Sequence, residues 1–251
     1  EYLANPITNL TTPRYMYARN GLGYITCWGP WSDNWTLDES YIAVVDLTSR
    51  TITDSLDCGS GPEGIVSVSD KVFIANSYDN SITVYDAAIQ NSSTIDVSAS
   101  PQHFEVGADG MLWVALGSLF GKYGQDQVGL QAINTSDLSL GTFVNIPGMS
   151  DYGEMTIDGD GRHIYFFIAE AWPGTGTDVY SMNTETKTVS SSALITGNNF
   201  FGIGYNNMTD KLYISDAAAY QGPGKILVYD KAGTKVDEQI TGIGPYHFVF
   251  E

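Results

Sequence analysis

The chain has 251 residues, 43% of them hydrophobic, enough to bury a sizeable core as one all-β domain or two smaller units. Asp and Glu total 29 against 11 Lys and Arg, a formal charge of −18. A surface this negative repels phosphate backbones and anionic lipid, so no nucleic acid is expected as a partner and polybasic-type membrane contact is disfavoured, and no apolar run approaches the ~20 residues of a membrane-spanning helix.

In chain order, residues 6–10 (PITNL) read as a short strand left over from a repeat whose beginning is absent. A four-strand unit then recurs five times. Blade one, 11–60, holds RYMYAR, GYITCWG, YIAVVDL and TITDSL. Blade two, 61–100, holds EGIVSV, KVFIANS, SITVYD and STIDVS. Blade three, 101–149, holds QHFEVG, MLWVALG, VGLQAIN and GTFVNI. Blade four, 150–197, holds GEMTID, HIYFFIAE, DVYSMN and VSSSALI, and blade five, 198–243, holds FGIGYN, KLYISDA, KILVYD and KVDEQI. Residues 244–251, with YHFVFE, read as the inner strand of a closing blade. No stretch carries apolar spacing near 3.6, so no helix is predicted.

The turns agree with this register. First and second strands meet at RNGLG, VSDK, GADGM, DGDGRH and NMTDK, which supply positive φ or side-chain-to-backbone bonds. Third strands end on Asp46, Asp86, Asn134, Asn183 and Asp230, each suited to closing a turn. Around Asp160 the turn faintly resembles a calcium loop, but it lacks the remaining ligands and a distal Glu and is read as a plain turn. Antiparallel four-stranded units of this size are propeller blades, and small residues at Gly64, Gly153 and Gly202 suit crowded inner strands. The Gly-His and Trp-Asp signals of WD40 blades are missing. Cys27 and Cys58 fall at the ends of strands that are not neighbours, so two unbridged thiols are expected. Asn-x-Ser/Thr sequons at Asn9, Asn34, Asn91, Asn134 and Asn207 mark exposed turns.

The openings ITNLTTPRYMY and GYIT, the stretch PEGIVSVSDKVFIANSYDNSITVYD and the ending ITGIGPYHFVF resemble the YncE-like, YVTN-type β-propellers. Within that group the chain looks like surface lipoproteins of gut Bacteroidetes. The resemblance implies a single seven-bladed domain, so that the 1–251 chain would lack roughly one and three-quarter blades, with a lipoprotein anchor upstream of Glu1. It further implies a location on the extracellular face of the outer membrane or in the medium. The implied role is capture of a nutrient, a corrinoid such as cobalamin or a glycan, for an outer-membrane transporter.

Function is expected where the unit departs from its barest form. The loops between second and third strands are long and aromatic in blades one, three, four and five. They carry Trp28, Trp31 and Trp35, then Phe120 and Tyr123, then Trp172, then Tyr220. Blade-to-blade crossings add Arg14, Glu63, Gln102, His103, Tyr152, Phe200, Tyr246 and His247. Aromatic platforms with polar groups between them suit a flat ligand or a protein partner; otherwise the rings cap their own blades. Arg14 suits an anionic ligand group or a pair with Glu63. Nothing predicts a metal: His103 and His247 lack further ligands, and His163 is expected to have no partner. No nucleophile elbow, HExxH motif or P-loop occurs, and no cofactor is expected. The leading expectation is a non-catalytic binding protein. A protein-interaction scaffold and a carbohydrate hydrolase or lyase are the alternatives.

Overall fold

The computed structural model describes residues 6–34, 36–86, 91–170 and 176–250. The chain is all-β: among the described residues, twenty strands make five four-stranded antiparallel sheets, each in the sequential order of a propeller blade, with one 3-10 turn at Ala218–Tyr220. The first sheet comprises β1 (Pro13–Arg19), β2 (Leu22–Cys27), β3 (Tyr41–Asp46) and β4 (Thr51–Asp57). The second comprises β5 (Pro62–Val68), β6 (Lys71–Asn76), β7 (Ser81–Asp86) and β8 (Asn91–Asp96). In the third are β9 (Ser100–Val106), β10 (Leu112–Gly117), β11 (Gly129–Ile133) and β12 (Leu140–Asn145). The fourth holds β13 (Met155–Ile157), β14 (His163–Ala169), β15 (Thr177–Asn183) and β16 (Thr188–Val189). The fifth holds β17 (Phe200–Asn206), β18 (Lys211–Asp216), β19 (Lys225–Tyr229) and β20 (Lys235–Ile240). Two compact units divide the chain, residues 1–104 and 105–251, with the division inside β9.

The middle strands lack the apolar–polar alternation of a one-sided sheet because both of their faces are covered. In β14, Ile164 and Phe166 join Trp113, Leu130 and Met182 in one core, while Tyr165 and Phe167 join Ile203, Ile214 and Leu227 in the next. Outer strands lie in solvent: every residue of β20 is exposed, and all but one of β4. Burial therefore falls from the middle strands to the outer edge, as stacked blades require.

Asx residues close the turns as expected. Asp46 Oδ1 accepts from the Thr48 and Ser49 amides, Asn183 Oδ1 from those of Glu185 and Thr186, and Asp230 Oδ1 from those of Ala232 and Thr234. Asn134 Oδ1 holds the Ser136 amide, and residues 87–90 after Asp86 lie outside the described residues. Both cysteines are free, because β3 stands between β2 and the residue following β4.

Four expectations need correction. PITNL is not a strand; Ile7 and Leu10 instead pack on Ile25, Ala43 and Val45 of the first sheet. YHFVFE forms no ladder among the described residues. It is laid against β17, so close that a Cβ on Gly202 would fall 1.6 Å from the Tyr246 carbonyl oxygen. VSSSALI is a broken outer strand: β16 ends at Val189, and pairing resumes only at the Val179–Ile195 and Gly176–Asn198 bridges. His163 is not unpartnered, because its Nδ1 lies 2.8 Å from Asp158 Oδ2.

On the exposed face of the fifth sheet, Lys225 and Lys235 each reach the Glu238 carboxylate at 2.8 Å. Their hydrogen bonds, Lys225's first, hold that carboxyl down at about 2. A depressed carboxylate contributes stability above its unfolded pKa of about 4.3, and the contribution is lost as pH falls toward the folded value. Between pH ~4.5 and ~2 the wild type should therefore lose its stability margin over Glu238→Gln, in denaturant titrations run across that range. Full exposure makes the difference small, and 1 M salt should shrink it further. A margin that does not change with pH would remove this ion triad as a contributor.

Candidate ligand-binding face

In unit 1 the aromatic residues close on one another. Trp28 and Trp31, from the loop after β2, meet edge-to-face at 5.9 Å, and Tyr78 from the β6–β7 turn meets both rings at 5.7 Å. The Arg14 guanidinium lies 4.6 Å over Trp28 and its Nε donates to the buried Glu63 carboxylate at 3.1 Å. Arg14 thus forms the structural pair with Glu63 that the sequence allowed. The Trp28 indole N–H is enclosed with no hydrogen-bond partner among the described residues. His103 stands edge-on to Tyr15 at 4.9 Å, with the Tyr15 hydroxyl 3.2 Å from its Nε2. These rings cap their own sheets and leave Trp31 partly open. Trp35 lies outside the described residues.

Unit 2 arranges its rings differently. Phe120, from the β10–β11 loop, meets Tyr152 of the β12–β13 crossing at 6.4 Å, and Tyr152 meets Phe201 at 5.7 Å. Phe201 then contacts Tyr220 of the β18–β19 loop at 5.6 Å and Tyr246 at 4.7 Å, and Tyr246 touches His247 at 4.0 Å. The result is an unbroken strip of five aromatic rings contributed by the third and fifth sheets, the crossing between the third and fourth, and the segment after β20. Its ends stay open: Phe120 is 71% exposed, Tyr152 44% and Tyr220 55%. Exposed aromatics in mutual contact form a contiguous apolar patch, which on a protein surface marks a site for a ligand or partner.

The backbone works to present these rings. Leu119 and Phe120 hold φ of 47° and 55°, and Ala218, Ala219 and Tyr220 hold φ of 48°, 50° and 59°. Left-handed geometry costs a residue with a Cβ roughly 1–2 kcal/mol, and such strain gathers at functional loops. Asp216 Oδ1 accepts the Ala218 amide at 2.8 Å and so anchors the second loop.

A cleft of about 720 Å³ lies beside the strip, within the range of small-molecule sites. Phe120, Tyr152 and Met149 supply apolar wall; Gln125, Asp151 and Glu170 supply polar groups. Asp151 is held by the Ser118 hydroxyl, and Glu170 Oε2 by the Gly176 amide at 3.1 Å. No Lys or Arg lines the cleft among the described residues. The arrangement offers apolar ring faces and fixed hydrogen-bond acceptors, and it repels anions.

Of the residues singled out in the sequence, Phe120, Tyr152, Tyr220 and Tyr246 come together in the strip. Phe200 does not: it is buried against Phe167 at 6.2 Å, in the core between the fourth and fifth sheets. The register of β17 on β18 shifts between Phe200 and Gly202, which turns Phe201 to the face in its place. Tyr123 carries the Lys122 ammonium 5.1 Å over its ring, and Trp172 lies outside the described residues. Phe201 and Tyr78 were missed. Phe201 has a signal: like Glu63 and Tyr152, it immediately precedes an inner-strand glycine.

No protein-family model and no curated protein matches the chain in sequence. Solved structures match in fold. Hydrazine synthase of Kuenenia stuttgartiensis aligns with a TM-score of 0.70 at 14% identity, over 92% of this chain and 67% of the other. A Lactobacillus plantarum protein gives 0.68 at 15%, over 95% and 73%. A candidate 6-phosphogluconolactonase of Bacteroides fragilis gives 0.67 at 17% identity, over 97% and 75%. At such identities the likeness establishes the fold and carries no activity with it.

Proposed function

We propose that this chain is a non-catalytic binding protein that takes a neutral carbohydrate on the aromatic strip of unit 2. The observation that carries the reading is the strip itself: five rings in continuous contact, exposed at both ends, beside a cleft walled by carboxylates and an amide. Sugar rings present C–H faces that stack on aromatic planes and hydroxyls that donate to carboxylates. Asp151 and Glu170 are held by neighbouring donors, so they meet those hydroxyls preorganised. A phosphorylated sugar, the substrate type that the Bacteroides fragilis neighbour's name implies, would bring its charge against the same carboxylates with no cation to receive it. On this reading the strip performs the capture that the resemblance to surface propellers implies, and a transporter would collect the ligand from it. Unit 1, with its rings packed on one another, supports the fold.

The test is calorimetry of the purified chain with neutral oligosaccharides, 6-phosphogluconate and cyanocobalamin. Saturable binding of a neutral saccharide, with no binding of the phosphorylated sugar, is the expected result. Preference for the phosphorylated sugar or for the corrinoid would overturn the ligand class. Hydrolysis of the bound saccharide would overturn the non-catalytic reading.

A further inference from the structure

A second polar site lies in unit 2, on the β13–β14 turn and apart from the aromatic strip. The sequence Asp158-Gly-Asp160-Gly-Arg-His163 folds into a tight hairpin, with the Asp158 amide bonded to the His163 carbonyl at 3.1 Å and Gly161 at φ 72°. The turn gathers three ligand-type side chains. Asp158, Asp160 and His163 each offer an atom within 4.8 Å of the others, although the residues come from one short stretch. Asp158 is almost wholly buried and firmly placed: its Oδ1 accepts the amides of Arg162 and His163 at 2.8 and 3.0 Å, and its Oδ2 faces His163 Nδ1 at 2.8 Å. Asp160 is exposed, and its Oδ1 accepts the Arg162 amide at 3.2 Å.

Turn formation explains Asp158, and it does not explain Tyr165. That residue stands two positions beyond His163 on β14 and lines the same cleft of about 290 Å³, together with Ser181, Leu194 and Lys231. Tyr165 is only 4% exposed, and among the described residues its hydroxyl makes no hydrogen bond, so it is open to the cleft rather than sealed in the core. Its ring is stacked on Tyr205 at 6.1 Å with the planes 2° apart, so its orientation is fixed. Lys231 is the nearby cation, and its charge is directed elsewhere: Nζ sits 3.0 Å from Asp210 Oδ1 and over the Tyr205 ring.

We propose that Asp158, Asp160 and His163 bind a divalent transition-metal ion of the Zn²⁺ or Mn²⁺ class, in the cleft that Tyr165 also lines. One imidazole with two carboxylates is a borderline donor set, suited to these ions in preference to Ca²⁺ or Mg²⁺, which take oxygen donors alone. On binding, the ion displaces the hydrogen bond between Asp158 Oδ2 and His163 Nδ1, and a proton on Nδ1 passes to Nε2 or to solvent. That gap is 2.8 Å, and two ligands ~2.0–2.2 Å from one ion need it to open only by a few tenths of an ångström.

Chelator-treated protein should be titrated calorimetrically with Zn²⁺, Mn²⁺ and Ca²⁺, and with Co²⁺ followed by visible absorption. One saturable site for Zn²⁺ or Mn²⁺ is expected, with a nitrogen-containing Co²⁺ spectrum. Asp160→Asn and His163→Gln should each weaken it by about tenfold or more. Because Asp160 is exposed, its variant tests the site even if the histidine variant misfolds. No saturable transition-metal binding below millimolar concentration overturns the proposal, as does affinity unchanged in a folded variant, or a preference for Ca²⁺. None of these outcomes bears on the aromatic strip, which shares no residue with the site.

Discussion

Phe201→Ala should weaken saccharide binding to unit 2 by roughly thirtyfold, about 2 kcal/mol, the scale of a central aromatic contact residue. Phe201 is the junction of the strip: it touches Tyr152 at 5.7 Å, Tyr220 at 5.6 Å and Tyr246 at 4.7 Å. Removing it takes away a stacking plane and the support that keeps Tyr152 and Tyr220 edge-on. Phe120→Ala removes one end only and should cost less, since each aromatic pair contributes ~0.5–1.5 kcal/mol beyond its area. Trp31→Ala, in the self-packed cluster of unit 1, should leave affinity unchanged. Calorimetry on the three variants, with near-UV circular dichroism to confirm folding, decides the matter. Equal affinity for wild type and Phe201→Ala would remove the strip as the site. Loss in Trp31→Ala would move it to unit 1.

Stability should respond most to Trp113→Ala, with an expected loss of about 3–5 kcal/mol in urea denaturation followed by far-UV circular dichroism. The side chain is fully buried on β10, among Leu130, Met155, Ile164 and Phe166 of the core between the third and fourth sheets. It is held at both ends. Its indole N–H donates to Asp109 Oδ1 at 3.3 Å, and the Lys187 ammonium, itself paired to Asp109, lies 4.8 Å over the ring. Alanine would leave a cavity and free both Asp109 and Lys187, loosening the turns before β10 and after β15 together. Trp113→Phe keeps most of the apolar volume and should cost less than half as much. A loss below ~1 kcal/mol for alanine would mean that the core closes over the gap.

Local signals made the fold legible. Strand runs of about six residues and Asx-closed turns act between near neighbours, so they can be read wherever they stand: Asp46, Asn183 and Asp230 close their turns as the sequence predicts. The long loops after β2, β10, β14 and β18 were legible for the same reason. What local pattern could not supply was the side to which a ring turns once strands pair. The one-residue shift on β17 sends Phe200 into the core and Phe201 to the face, a choice made by pairing with β18. Likewise, whether Trp28 and Trp31 stay open depends on Tyr78, some fifty residues away. In the Asp158–His163 turn the sequence places the ligands side by side, but Tyr165 acquires its meaning from Tyr205, which stacks on it from the next sheet. By itself, then, the sequence determined the repeat, the turns and the loops where rings would be found. Only the tertiary structure decided which rings meet, because side-chain direction is set by register and by the neighbouring sheet, and both are long-range.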